Sequence, residues 1–212
     1  MRRAEHLRLE EVSRPVKLEL PPTLQHRLMA KAQSTPDFND AMDVDGTRVT
    51  IRPIEPADRE RESAFVRKLS QASRYYRFHS TLKELTPALL ERFTECHYPD
   101  DLALVAMVDT DDGPEQIGVA RYVREPGTDR AEIAIVVADD WQGKGIATRL
   151  LFDLRDLARS GGIQQLYASV LRENGRMLEL CRRLGFSLEP ASTEPRTSQL
   201  GKRLPPQDED SE

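Results

Sequence analysis

Ala131 to Leu151 reads AEIAIVVADDWQGKGIATRLL: an apolar strand runs through a short polar turn into glycines that open a leucine-rich helix. Ile133 to Ala138 is of strand length. Ile146, Leu150, Leu151, Leu154 and Leu157 recur on one helical face, so a helix is predicted over 145–160, closed by Gly161 and Gly162. Strand, glycine turn and helix start together make an anion site. In Gln142-Gly143-Lys144-Gly145-Ile146-Ala147-Thr148 the small residues let the backbone approach a ligand, and the N–H groups at the helix start point outward. A diphosphate fits that geometry. A helix terminus contributes only about 0.3–1 kcal/mol per favourable charge, so several N–H bonds must do the holding, with Lys144 and Arg149 as added charge. The competing reading is a strand-to-helix turn that binds nothing.

Outward from this segment, LALVAMVD, QIGVARYVRE and RAEIAIVV follow one another with acidic or glycine turns between them, which predicts an antiparallel meander. Before it, Val49 and Ile51 alternate with polar residues in a strand that stops near Pro53. A helix is expected from about Pro56 through Phe65, Val66 and Leu69 to the Ser-rich SQASRYYRFHS stretch. Another helix is capped by Thr86, with Pro87 at its first position and Leu89, Leu90 and Phe93 inward. After the leucine-rich helix come a strand (QLYASV), a helix over 175–184 ended by Gly185, and a final strand pair from FSLE and TSQLGKRL. The order implies a mixed α/β fold with one central sheet over residues 47–204. Residues 1–46 read as an arm with one short helix at Leu24, Leu28 and Met29. PDFNDAMDVDG, 36–46, reads as an acidic turn region outside the domain, and 205–212 as a disordered acidic tail.

Composition narrows the function. The 212 residues are 38% hydrophobic and 32% charged, with no apolar run near the roughly 20 residues of a membrane-spanning helix. No secretory signal opens the chain, since Arg2 and Arg3 lead into Glu5, Glu10 and Glu11, so a cytoplasmic location is expected. A net charge of −5 argues against a nucleic-acid partner. Cys96 and Cys181 lack neighbours at metal-ligand spacing, and His6, His26, His79 and His97 lack partners at metal or triad spacing, so no metal site is expected. Trp141 is read as a cover for the glycine loop.

Neither a Walker A loop nor the GxGxxG dinucleotide fingerprint is present, so another phosphate-bearing cofactor is required. The loop resembles that of the GCN5-related N-acetyltransferase (GNAT) family, which reads Gln or Arg, two variable residues, Gly, one variable residue, then Gly or Ala; Gln142, Gly145 and Ala147 match. VLREN with Asn174, and Leu184-Gly185-Phe186, strengthen the likeness, which covers about residues 47–204.

The resemblance implies acetyl-CoA as cosubstrate and two splayed central strands. It implies that backbone groups of Ile135, Val136 and Val137 pair with the pantetheine arm, and that a backbone N–H near Val137 stabilises the thioester oxyanion. Gly143, Lys144, Gly145, Ile146, Ala147 and Thr148, after Gln142, would bind the pyrophosphate, and Asn174 would touch the cofactor further along. Glu132 shares a strand face with Ala134 and Val136, an odd place for a carboxylate if that face is buried. The competing reading is a strand-end Glu in water or paired with Arg121 or Arg130. AEI also resembles the catalytic strand of lysine acetyltransferases in this family, where a glutamate is the general base.

The tyrosine that many members use to protonate the leaving thiolate is replaced by Cys181, read here as packing rather than as a nucleophile. SRYYRFHS, 73–80, resembles a segment of bacterial Pat-type protein lysine acetyltransferases, which suggests a protein lysine as acceptor. As an unaided helix end it would instead pack Tyr75 and Phe78 inward and leave Arg74 and Arg77 in solvent. Pat-type proteins often carry a fused regulatory module, for which 46 residues before Thr47 are too few. A small-molecule amine acceptor and a non-catalytic acyl-CoA sensor stand as alternatives.

Overall fold

The computed structural model describes residues 35–80, 83–189 and 195–205. The short helix expected near Leu24 and most of the acidic tail lie outside them. Eight strands form one sheet: β1 (Asp40–Val44), β2 (Thr47–Pro53), β3 (Asp101–Thr110), β4 (Gly113–Arg124), β5 (Arg130–Val137), β6 (Gln165–Leu171), β7 (Ser187–Leu188) and β8 (Thr197–Arg203). Their order is β1-β2-β3-β4-β5-β6-β8-β7. Every pairing is antiparallel except β5 with β6, which is parallel. The helices are α1 (Arg59–Lys68), α2 (Gln71–Phe78), α3 (Pro87–Thr94), α4 (Ile146–Ser160) and α5 (Gly175–Arg183).

The meander over β3, β4 and β5 forms as the sequence predicts. The sheet begins earlier, however, because Asp40–Val44 pairs along β2 instead of lying in the arm. Asp45 and Gly46 join the two strands with φ of 52° and 83°, the positive pair that a two-residue hairpin turn requires. The acidic residues of this segment sit on an edge strand, while Val44 is buried and Met42 packs on the core beside it.

The helix expected to run on from Pro56 is broken. A 3-10 turn at Pro56–Asp58 leads into α1, and Ser70 starts α2 afresh by accepting a hydrogen bond from the Ser73 N–H at 3.1 Å. SRYYRFHS therefore belongs to a helix of its own.

The two faces of the sheet bury separate cores. On one, Ile146, Leu150, Leu151 and Leu154 of α4 and Cys181 of α5 pack on Leu102, Leu104, Ile117, Ile133 and Leu166. On the other, Phe65, Val66 and Leu69 pack on Ala103, Val105, Val119 and Val136, with Phe78, Leu90 and Phe93 alongside. Period-two alternation assigns Glu132, Ala134 and Val136 to this second face.

Candidate active site

β5 and β6 pair only at Arg130, Ala131 and Glu132, opposite Gln165, Leu166 and Tyr167. Beyond that point β5 stays on β4 while β6 follows β8, and the two central strands part. The alternation of backbone groups along β5 is fixed at both ends, because the Arg130 carbonyl accepts from Glu125 and the Ala138 N–H donates to the Ile117 carbonyl, each at 2.8 Å. Even-numbered residues therefore bond toward β4. Ile133, Ile135 and Val137 turn their N–H and C=O groups toward β6, where pairing has stopped. Of the three residues expected to offer backbone groups to a pantetheine, Ile135 and Val137 turn theirs toward the gap, the Val137 carbonyl already accepting from the Gln142 amide. Val136 does not, because its amide and carbonyl face β4 and only its side chain reaches the gap.

The gap opens into a cleft of about 1460 Å³ lined by Glu132, Ile135 to Val137, Gln142, Gly143, Gly145 to Thr148, Ser169 and Asn174. At its floor α4 begins at Gly145, whose φ of 88° suits glycine, and among the described residues no side chain caps the helix. Among the described residues no acceptor reaches the N–H groups of Ile146, Ala147 and Thr148, so three donors converge on the cleft. A Cβ on Gly143, at φ of 78°, would meet nothing within 4 Å, which leaves open space above the loop. This donor set fits a pyrophosphate. Ile146 offers only its backbone to the cleft, since its side chain is buried in the core.

Two cations expected at the loop are turned away. The Lys144 ammonium pairs with Asp45 of the β1–β2 turn at 2.7 Å and stands 5.7 Å from the Trp141 ring, outside the cleft. Arg149 is taken by Asp153 at 2.9 Å and by Asp40 of β1. The β1–β2 hairpin supplies two of these three carboxylates, Asp45 and Asp40. Arg176, at the start of α5, reaches the cleft instead and donates to Gln142 Oε1 at 3.4 Å. The sequence reading passed over Arg176; its signal was a cation two residues beyond Asn174 at a helix start.

Gln142 has a tying role that its place in a loop motif does not reveal. Its amide donates to the Val137 carbonyl at 3.1 Å and to Ser73 Oγ at 3.2 Å, joining the end of β5 to α2. Asp139 completes the tie by accepting from the Ser70 N–H, Ser70 Oγ and Ser73 Oγ at 2.8, 2.7 and 2.8 Å. Burial alone would raise the Asp139 carboxyl, but these hydrogen bonds outweigh it and hold the group below the usual carboxylate range. Asn174 lines the cleft while its side chain caps α5, accepting from the Met177 N–H at 3.1 Å.

Glu132 is exposed to the cleft between Val123 on β4 and Tyr167 on β6. Arg121 is engaged elsewhere, with Asp101 at 3.4 Å and the Arg92 and Phe93 carbonyls, and Arg130 pairs with Glu189. Cys181 is fully buried and does not line the cleft, and burial pushes its thiol up to about 11, so at neutral pH it is a protonated thiol, not a thiolate nucleophile. His79 lines the cleft and His97 does not. Among the described residues no group of His, Cys, Asp and Glu could hold a metal ion, and no helix is long and apolar enough to cross a membrane.

A family model for the acetyltransferase (GNAT) domain matches residues 48–187. This chain belongs to the GNAT acetyltransferase family. GNAT proteins use acetyl-CoA as cosubstrate, which agrees with the parted strands and the free helix start. Acetyltransferase PA5475 of Pseudomonas aeruginosa is 39% identical over 142 residues, 67% of this chain and 76% of that protein. Acetyltransferase Pat of Mycolicibacterium smegmatis is 39% identical over 136 residues, 64% of this chain but 40% of that protein. The crystal structure of the GNAT domain of S. lividans PAT superposes with a TM-score of 0.72 at 31% identity, covering 78% of this chain and 97% of that domain. The mixed α/β GNAT fold expected from the sequence is the fold observed.

Proposed function

We propose that this acetyltransferase moves an acetyl group from acetyl-CoA to a lysine ε-amine of a protein, in the cytoplasm, by direct attack within a ternary complex. The observation that carries the proposal is the end of β5–β6 pairing at Glu132. It leaves a carboxylate at the mouth of a gap whose wall offers the backbone groups of Ile135 and Val137 and whose floor is the start of α4. The pyrophosphate would lie on the N–H groups of Gly143 to Thr148, with Gln142 and Arg176 beside it, and the pantetheine would run along Ile135 and Val137 toward Asn174.

At pH 7 a lysine with a pKa near 10.4 is an ammonium, and neutralising it costs about 4–5 kcal/mol. Glu132 receives that proton, directly or through one water. The amine nitrogen then forms its bond to the thioester carbon, and the Val137 N–H stabilises the oxyanion. The C–S bond breaks as the carbonyl re-forms. The nitrogen sheds its second proton to solvent as the amide forms, and the departing CoA thiolate takes a proton from solvent in turn, since Cys181 is buried out of reach. A CoA thiol near pKa 8.5 is a fair leaving group without a dedicated acid.

The protein acceptor is supported by the 39% identity to a protein named acetyltransferase Pat and by the likeness to the S. lividans PAT domain. The test is thiol release from acetyl-CoA with lysine peptides and with a panel of small amines, alongside mass-spectrometric comparison of acetylated proteins in cells with and without the chain. Turnover of small amines alone would overturn the protein acceptor, and cofactor binding without turnover of any amine would overturn the enzyme.

A further inference from the structure

On the second face of the sheet, above Glu132, the cleft is walled by α2 and α3, and its chemistry there is cationic and aromatic. The Arg77 guanidinium lies 5.1 Å from the Phe78 ring centre and 5.8 Å from that of Phe93, and Arg121 lies 5.2 Å from Phe93. Phe78 and Phe93 stack with centres 6.2 Å apart. The two arginines differ in one respect. Arg121 spends its N–H groups on Asp101, on the Arg92 and Phe93 carbonyls and on Cys96 Sγ. Arg77 lines the cleft, half-buried, and among the described residues no oxygen accepts from it.

Two carboxylates face Arg77, and neither closes an ion pair with it. Glu62 of α1 is buried and accepts from Gln116, and Glu132 stands across the cleft on β5. Desolvation, and then the charge of Arg121, bring the Arg77 guanidinium down to about 10, against the pull of Glu62 and Glu132. The guanidinium thus keeps its donors open to the cleft, where a ligand can take them. Arg92, also on the cleft, adds a third positive charge from α3.

We propose that Arg77, backed by Arg92 and Arg121, is a carboxylate-binding subsite on the acceptor side of the cleft. This rests on the acetyl-transfer reading of the same cleft and narrows its substrate. The subsite sorts charge: a ligand carboxylate lies toward Arg77 while the acceptor ammonium lies toward Glu132. Guanidinium and carboxylate match as a two-bond fork, and the flat Phe78 and Phe93 faces hold the fork in plane. The carboxylate arrives from one of two sources, an Asp or Glu beside the acceptor lysine or the far end of a dicarboxylic acyl group on the CoA thioester.

The full chain is loaded with CoA, so that no transfer occurs, and titrated calorimetrically with peptides holding one lysine flanked by Glu, Ala or Arg. In parallel, the free protein is titrated with succinyl-CoA and acetyl-CoA. A charge-assisted pair lost at Arg77 predicts about a tenfold or larger preference for Glu-flanked over Arg-flanked peptide, or for succinyl-CoA over acetyl-CoA. The arm that shows it names the source. Arg77→Gln should erase the preference, Arg77→Lys should keep part of it, and Arg77→Glu should reverse it among the peptides. Absence of any charge preference in the unaltered protein overturns the proposal without recourse to a variant. So does a preference that survives Arg77→Gln. Charge-selective binding without acetylation of any peptide would sink the lysine reading and leave the subsite standing; acetylation without charge selection would do the reverse.

Discussion

Replacing Glu132 by Gln removes one ionisable oxygen from a side chain that the structure leaves exposed, so the fold should scarcely register the change. Its neighbours in the sheet, Val123 and Tyr167, keep their backbone partners. Exposed substitutions of this kind stay within about 0.5 kcal/mol. The α4 start and the Ile135 and Val137 groups are untouched, so CoA affinity should hold within about twofold. Turnover should not hold. A positioned base contributes ~10²–10⁴, so kcat should fall at least about 100-fold, roughly 2.7 kcal/mol of transition-state stabilisation.

The residual reaction must draw on amine that is already neutral, roughly one molecule in 2500 at pH 7 for a pKa near 10.4. The variant rate should therefore climb about tenfold per pH unit toward pH 10, a steeper rise than that of the unaltered enzyme. Steady-state thiol release from acetyl-CoA across pH 6.5–9.5, with calorimetry for CoA, reads both numbers. Unchanged turnover, or a fall matched by an equal loss of CoA affinity, would refute the assignment of Glu132 as base.

Gly145→Val should weaken CoA binding at least about tenfold by calorimetry. A Cβ at φ of 88° costs about 1–2 kcal/mol, and relief of that strain swings the Ile146, Ala147 and Thr148 donors off the ligand. Cys181→Ala should keep turnover while lowering the melting temperature, and in the native protein this thiol should resist an aromatic disulfide reagent at pH 8; a 100-fold loss of kcat with CoA affinity intact would make it the missing acid. Asp58 is buried with Arg52 at 2.7 and 2.8 Å and Arg61 at 2.9 Å, but both arginines reach solvent, so Asp58→Ala should cost about 1–3 kcal/mol in a urea titration. Burial pushes the Asp58 carboxyl up, but these bonds and the Glu55 N–H outweigh it and hold the group below its ordinary 3.8. Its contribution is thus present above that value and lost as pH falls toward the folded value, so the gap between the native protein and Asp58→Ala should narrow in acid.

What the residues determined alone is what depends on near neighbours. The meander over β3 to β5, the helix from Ile146 and the glycine turn before it all follow from side-chain period and from backbone angles that only glycine takes easily. The placing of Glu132 on β5 and of the Gln142–Thr148 loop before α4 follows for the same reason, because strand, turn and helix start are contiguous, whereas the choice of Glu132 as base comes from the family resemblance of AEI. The Asp45-Gly46 turn was legible as well, but its acidic setting concealed a hairpin. Only the folded chain decided which charges remain for a ligand. Lys144 meets Asp45 across 99 residues and Arg149 meets Asp40 across 109, while Arg77 comes beside Arg121 and finds no acceptor among the described residues. The parting of β5 from β6 after Glu132 is likewise a matter of the fold, in which β5 stays on β4 and β6 on β8. Charge pairing and strand parting depend on distance in space, and a sequence records only distance along the chain.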